Sequence, residues 1–216
     1  MKNLFISLVV AGSLLFFATD LYAQGGGLSS KELAKETKTV TKSLQKDGWK
    51  MVDISMSIEG AVSRHLARSN EPGSQAISST IRCGSIMSNC DRAAFTDALR
   101  KYAMQSEAFV REALTGDDYL NQASLREEFS KLYSQFEMLV QKEISGAVTP
   151  SFQVYKKSTK RGATETDYRA FYIINEEKAS TARIRAMEQA LKESEALQRY
   201  SERISEAVGQ RFNVRD

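Results

Sequence analysis

The stretch that decides the fold runs Phe152-Gln153-Val154-Tyr155-Lys156-Lys157-Ser158-Thr159-Lys160-Arg161-Gly162-Ala163-Thr164 and continues into Tyr168-Arg169-Ala170-Phe171-Tyr172-Ile173-Ile174. Phe152 and Val154 alternate with polar neighbours, and Tyr168, Ala170, Tyr172 and Ile174 occupy every second position. A period of two puts each set on one face of its own strand. The polar segment from Lys156 to Thr164, with Gly162 near its tip, reads as the connection of a hairpin.

A third strand lies upstream. Ile77, Ser79, Ile81 and Cys83 alternate with Ser78, Thr80 and Arg82, directly after the turn signal Glu71-Pro72-Gly73-Ser74. Between this strand and the hairpin the period changes to that of helices. Ser88 or Asn89 caps a helix carrying Phe95, Ala98, Leu99, Tyr102, Phe109 and Leu114, which stops at Gly116. Asp117-Asp118 open a second, with Leu125, Phe129, Leu132, Phe136, Leu139 and Val140 on one face, and Gly146 ends it. From Asn175 to about Gln210 the pattern reads as one long helix, with Ile184, Met187, Leu191, Leu197, Ile204, Val208 and Phe212 as its stripe. That stripe is close to a heptad repeat, so it either lies across the sheet or mediates a homo-oligomer.

Ahead of the first strand, Ser29-Ser30-Lys31-Glu32 forms a capping box for a helix with Leu33, Thr37, Val40 and Leu44 at helical spacing, closed by Gly48. A shorter helix spans about Ser57 to Arg68. The order α-α-β-α-α-β-β-α defines an α+β fold. It is a small antiparallel sheet packed by helices on one face, with a Lys-rich N-terminal helix and a long C-terminal one. The organisation expected is a signal peptide over 1–23, a flexible leader over 24–28, an N-terminal helical segment over 29–70 and the α+β domain over 71–216.

The signal peptide rests on Lys2, the fifteen uncharged residues Leu4 to Ala18, and the small residue Ala23. About 20 apolar residues are needed to span a bilayer, so this segment is short for an anchor. Cleavage after Ala23 leaves a mature chain of 193 residues that is periplasmic, or outer-membrane associated or secreted. In an oxidising compartment Cys83 and Cys90 are a candidate disulfide closing a short Gly- and Ser-containing loop; the alternative is two free thiols.

Composition excludes several chemistries. One histidine and two cysteines cannot build a closed Cys/His zinc site without carboxylates. Gly-x-Ser-x-Gly, P-loop and Gly-x-Gly-x-x-Gly patterns do not occur, so hydrolase, nucleotide and dinucleotide readings lack their usual mechanics. Asp117-Asp118 suit a helix start, and Glu127-Glu128 a solvated helix flank. His65 reads as a surface or boundary residue. The expectation is a protein without catalytic, cofactor or metal residues; a hydrolase lacking a recognisable motif is the third-ranked reading.

The net charge of +3 is too small an average to imply nucleic acid. Its distribution says more, because residues 24–89 hold nine Lys/Arg against six Asp/Glu, whereas residues 90–216 hold twenty of each. Lys31, Lys35, Lys38, Lys42 and Lys46 recur at spacings of 4, 3, 4 and 4, which places them on one helical face opposite Leu33, Val40 and Leu44. This is either a solvated face or a surface for anions such as lipid head groups, lipopolysaccharide or acidic glycans. Lys156, Lys157, Lys160 and Arg161 form a second basic spot, either an anion site or a charged hairpin that blocks edge pairing.

Certain short segments carry a family resemblance: Lys46-Asp47-Gly48-Trp49-Lys50, Asn89-Cys90-Asp91-Arg92-Ala93-Ala94, Val154-Tyr155-Lys156 and Tyr172-Ile173-Ile174 ahead of the Ala182–Leu191 helix. Together with the element order over roughly residues 30–210, they resemble the lipoprotein-twenty family of bacterial envelope proteins and related secreted proteins. The resemblance implies an exported, non-enzymatic α+β domain of undefined role at the cell envelope, with an unknown envelope component as its partner. The founding family carries a lipid-modified cysteine, and this chain has none near the expected cut.

Overall fold

The computed structural model describes residues 28–83, 87–115, 125–160 and 163–213. The expected signal segment and the Asp117-Asp118 pair lie outside the described residues. In chain order the elements are α1 (Ser30–Lys46), β1 (Lys50–Met51), α2 (Ile58–Ser69), β2 (Ser74–Cys83) and α3 (Met87–Thr115). There follow α4 (Arg126–Glu143), a 3-10 turn (Ile144–Ala147), β3 (Val148–Lys160), β4 (Ala163–Asn175), α5 (Glu176–Lys192), α6 (Glu195–Gln198) and α7 (Ser201–Asn213). The α+β class holds. All strand pairs are antiparallel and the sheet order is β1-β3-β4-β2.

β4 is central in register as well as position, pairing along its length with β3 and β2. Its alternate residues serve two cores. Tyr168, Ala170, Tyr172 and Ile174 face α3, α4 and α5, where Tyr102, Leu132, Phe136, Val140 and Ile144 are nearly inaccessible to solvent. Phe171 faces the other way and packs with Phe152, Val154, Leu44, Trp49, Ala61 and Val62. The sheet therefore carries helices on both faces: α3 to α5 on one, and α2 with α1 beyond it on the other. β1 joins the sheet through Met51↔Val154, so the segment 29–70 is built into the domain.

The entry to this second layer is set by backbone chemistry. The Ser29 hydroxyl accepts from the Glu32 amide at 3.4 Å while the Glu32 carboxylate accepts from the Ser29 amide at 2.8 Å, which is a complete capping box. At the other end of α1, Gly48 adopts φ +78°. The Gly48 amide donates to Gln45 O at 3.1 Å and the Trp49 amide to Leu44 O at 3.0 Å, the bond pair of a Schellman motif. Its companion apolar contact is Trp49 on Leu44, both buried. The turn at Pro72-Gly73, with φ +70° at Gly73 and the Ser74 amide on Glu71 O at 3.1 Å, starts β2.

Two expectations need correction. The single helix from Asn175 to Gln210 is broken into α5, α6 and α7, because Ser194 turns out of the helix and caps the Leu197 amide. The break lets Leu197, Ile204 and Val208 fold back into the main core, so these positions of the apolar stripe are buried within the chain itself. In α5 the inward positions are Ala179, Ala182, Arg183, Ala186, Met187, Ala190 and Leu191. Ile184, expected inside, is 38% exposed, and Arg183 takes the inward place. Its guanidinium donates to Glu176 at 2.9 Å and to the Tyr102 hydroxyl, which satisfies a charge that burial alone would penalise.

Gly48→Ala is expected to destabilise the fold by about 1 kcal/mol, the cost of a Cβ in the left-handed region, since nothing lies within 4 Å of the added carbon. Urea unfolding followed by circular dichroism measures this. Phe171→Ala, which opens the second core, should cost about 3–5 kcal/mol in the same assay.

Candidate functional site

Lys31, Lys35, Lys38, Lys42 and Lys46 are all exposed on α1. The buried residues of that helix are Thr37, Thr41 and Leu44, on the side turned to α2. At ~100° per residue the five lysines occupy an arc of ~80° centred opposite Leu33, Val40 and Leu44. Among the described residues none of the five has a carboxylate within 4.0 Å. Glu32 is bound into the capping box, and the Ser29 hydroxyl and amide hold its carboxyl below the usual range. The sequence therefore located this row; the structure gives it no direct ion pair among the described residues, though the Lys35 charge also acts on the Glu32 carboxylate.

The second basic spot is dispersed. Lys156 and Lys157 are adjacent in β3 and so point to opposite faces. Lys156 lies 4.8 Å from the Trp49 ring centroid and 3.9 Å from Asp167, while Lys157 is exposed on the other side. The Arg169 guanidinium is also 4.8 Å from the same ring. Trp49, only 5% exposed, is thus clamped by two cations, and Lys156 serves packing there. The side chains of Lys160 and Arg161 lie outside the described residues.

Cys83 and Cys90 are bonded to each other, with 5.8 Å between their Cα atoms. The bridge ties the end of β2 to the first turn of α3, next to the main core, where Cys90 is fully buried.

His65 is corrected from surface or boundary to interior, at 7% exposed. It packs edge-on against Phe152 and Phe171, each 5.5 Å away, which are themselves stacked at 4.2 Å. Its Nδ1 is 3.0 Å from the Ser151 hydroxyl. Desolvation, aided by Arg68 one turn along α2, lowers its pKa to about 4. A hydrophobic-period reading passes over such a residue because imidazole scores as polar; only the two aromatic strands opposite make its neutral form the comfortable one.

A polar cluster missed from sequence lies between α3 and the sheet. Ser79 donates to Asp97 at 2.7 Å, and Arg100 and Lys101 each pair with that carboxylate at 2.9 Å. Burial pushes Asp97 up, but these three donors outweigh it and hold its pKa at about 2. Beside it Asp91 accepts from Gln153 at 2.8 Å and from the Tyr168 hydroxyl at 3.3 Å, and burial raises the pKa of that hydroxyl. The outer flank of α3 bears a shallow open depression of about 460 Å³ lined by Asn89, Arg92, Ala93, Thr96, Asp97 and Arg100. Glu127 and Glu128 both pair with Lys131 at 3.2 Å, as solvated flank residues do.

Among the described residues no group of three or more His, Cys, Asp or Glu is placed to hold a metal, and no helix is long and apolar enough to cross a membrane. In comparison with known proteins the chain matches no family model, no curated protein and no solved structure.

The lowered His65 pKa has a definite sign. The unfolded chain, with an ordinary pKa near 6.5, takes up the proton first, so stability falls as pH drops from ~6.5 towards ~4. The loss should reach about 3 kcal/mol, and His65→Leu should flatten that slope in urea titrations at pH 7, 5.5 and 4.5. Reducing the Cys83–Cys90 bridge should cost about 2 kcal/mol, seen as a lower Tm with dithiothreitol that a Cys83→Ser/Cys90→Ser double variant no longer shows.

Proposed function

We propose that this is an exported, non-catalytic protein of the bacterial envelope that works through its surface as a binding or structural module. The reading begins from the Lys2–Ala23 leader pattern and the resemblance to the lipoprotein-twenty family. The observation that carries it is the division of α1: one side is committed to the core through Thr37, Thr41 and Leu44, and the other presents five unpaired lysines to solvent. The buried charged and ionisable groups, by contrast, are taken up in structural contacts, as Arg183 with Glu176 and Tyr102 and His65 with Ser151, and the partly exposed Asp97 is held by Ser79.

The same observation favours a second, more specific reading: a peripheral anion-binding protein. Exposed ammonium groups without a direct ion pair attract anions through a field that salt screens within about 10 Å at 0.1 M. Lipid head groups, lipopolysaccharide phosphates and acidic glycans all have the required charge.

Cell fractionation with mass analysis tests the first reading. The expected species is a chain beginning at Gln24 in the envelope or medium; an intact leader in the cytoplasm would overturn it. For the second, Lys35→Gln, Lys38→Gln and Lys42→Gln together should abolish salt-sensitive retention on anionic ligands while leaving the circular dichroism spectrum unchanged.

A further inference from the structure

We infer that the outer face of α1 is a docking track for one extended acidic polysaccharide chain, held by ion pairs to Lys31, Lys35, Lys38, Lys42 and Lys46. The inference rests on the anion-binding reading and narrows it to a linear carboxylate polymer rather than a bilayer.

Three features of the track favour a line over a plane. First, the lysines form a single row: at 1.5 Å per residue they extend over ~22 Å with axial steps of ~4.5–6 Å, of the order of one sugar unit per charge. Second, the apolar side of α1 is already used. Helices that lie in a bilayer surface bury an apolar face in the lipid, but here Leu44 is in the core and Val40 is packed against it. Among the exposed residues of α1 Ala34 is the only apolar one, and it lies outside the lysine arc, so contact there is electrostatic and polar. Third, the row is bordered by Thr39 on one flank and Gln45 on the other, both exposed; the Gln45 amide can donate and accept, while the Thr39 hydroxyl, which donates to Lys35 O at 3.0 Å, can accept from a sugar hydroxyl.

The choice of cation points the same way. The row contains lysine throughout and no arginine. Ammonium groups are compact point charges on flexible stems, and they adapt to a carboxylate on each successive sugar. The planar guanidinium fork that reads phosphate in bidentate fashion is missing from the row.

The test uses the purified protein with two probes, polygalacturonate and vesicles containing phosphatidylglycerol, across a salt series. A second variant, Lys178→Gln/Arg185→Gln/Lys192→Gln, removes the same charge from exposed positions of α5. The expected result is saturable polygalacturonate binding that falls at least tenfold in Lys35→Gln/Lys38→Gln/Lys42→Gln and is unchanged in the α5 variant. The slope of log affinity against log salt should fall by about 2 in the α1 variant, as expected for three lost ion pairs on a polyanion. Binding to vesicles but not to polygalacturonate would overturn the polysaccharide track and leave the anion-binding reading standing. Equal loss in both variants would reduce the effect to net charge and overturn the track. Binding to neither probe would overturn both readings.

Discussion

The two-sided alternation of β4 is the constraint around which the rest of the molecule is arranged. A pleated strand gives each neighbouring residue to the opposite face, so Tyr168, Ala170, Tyr172 and Ile174 build one core and Phe171 anchors another. Both faces must then be covered. The long α3, with α4 and α5, closes the first, and the alanine positions of α5 let that helix approach closely. The second is closed by α2, seated through His65 on the stacked Phe152 and Phe171 rings, with Leu44 of α1 and Trp49 completing that core.

That second layer explains how a helix with a narrow apolar stripe comes to present charge. Because the Gly48–Trp49 Schellman turn pins the end of α1 to the sheet, its orientation about its own axis is set: Thr37, Thr41 and Leu44 turn inward and the lysines turn out. The layer is also where acid acts on the fold, since its keystone is a histidine that burial keeps neutral. Surface charge and acid sensitivity thus share one structural origin, the thin covering of the Phe171 side of the sheet.

Much of this was legible in advance. The strand at Ile77–Cys83, the hairpin around Gly162, the capping box at Ser29 and the lysine row each follow from local periodicity or from a single turn of backbone. Errors arose where partners far apart in sequence decide the outcome. Ile184 fits an apolar spacing better than Arg183, yet Glu176 and Tyr102 give Arg183 a buried site and leave Ile184 outside. Ser194 looks unremarkable within a helical run, but its cap on Leu197 and its bond to Glu128 turn the chain back onto α3. His65 and the Asp91 and Asp97 clusters were invisible for the same reason, since their partners come from strands 18 to 86 residues away.

Local sequence was enough for the main helices and strands, the α+β class and the line of five lysines, but not for β1 or the break of the C-terminal helix, because helix and strand periods are properties of neighbouring residues. The tertiary structure alone decided that the sheet is covered on both faces, that Cys83 and Cys90 meet, that Lys156 and Lys157 part company, and that the lysine row stands without carboxylate partners among the described residues. Those outcomes turn on burial and on which distant groups reach one another. Desolvation and pairing are set by the packed chain, and no stretch of it carries them in isolation.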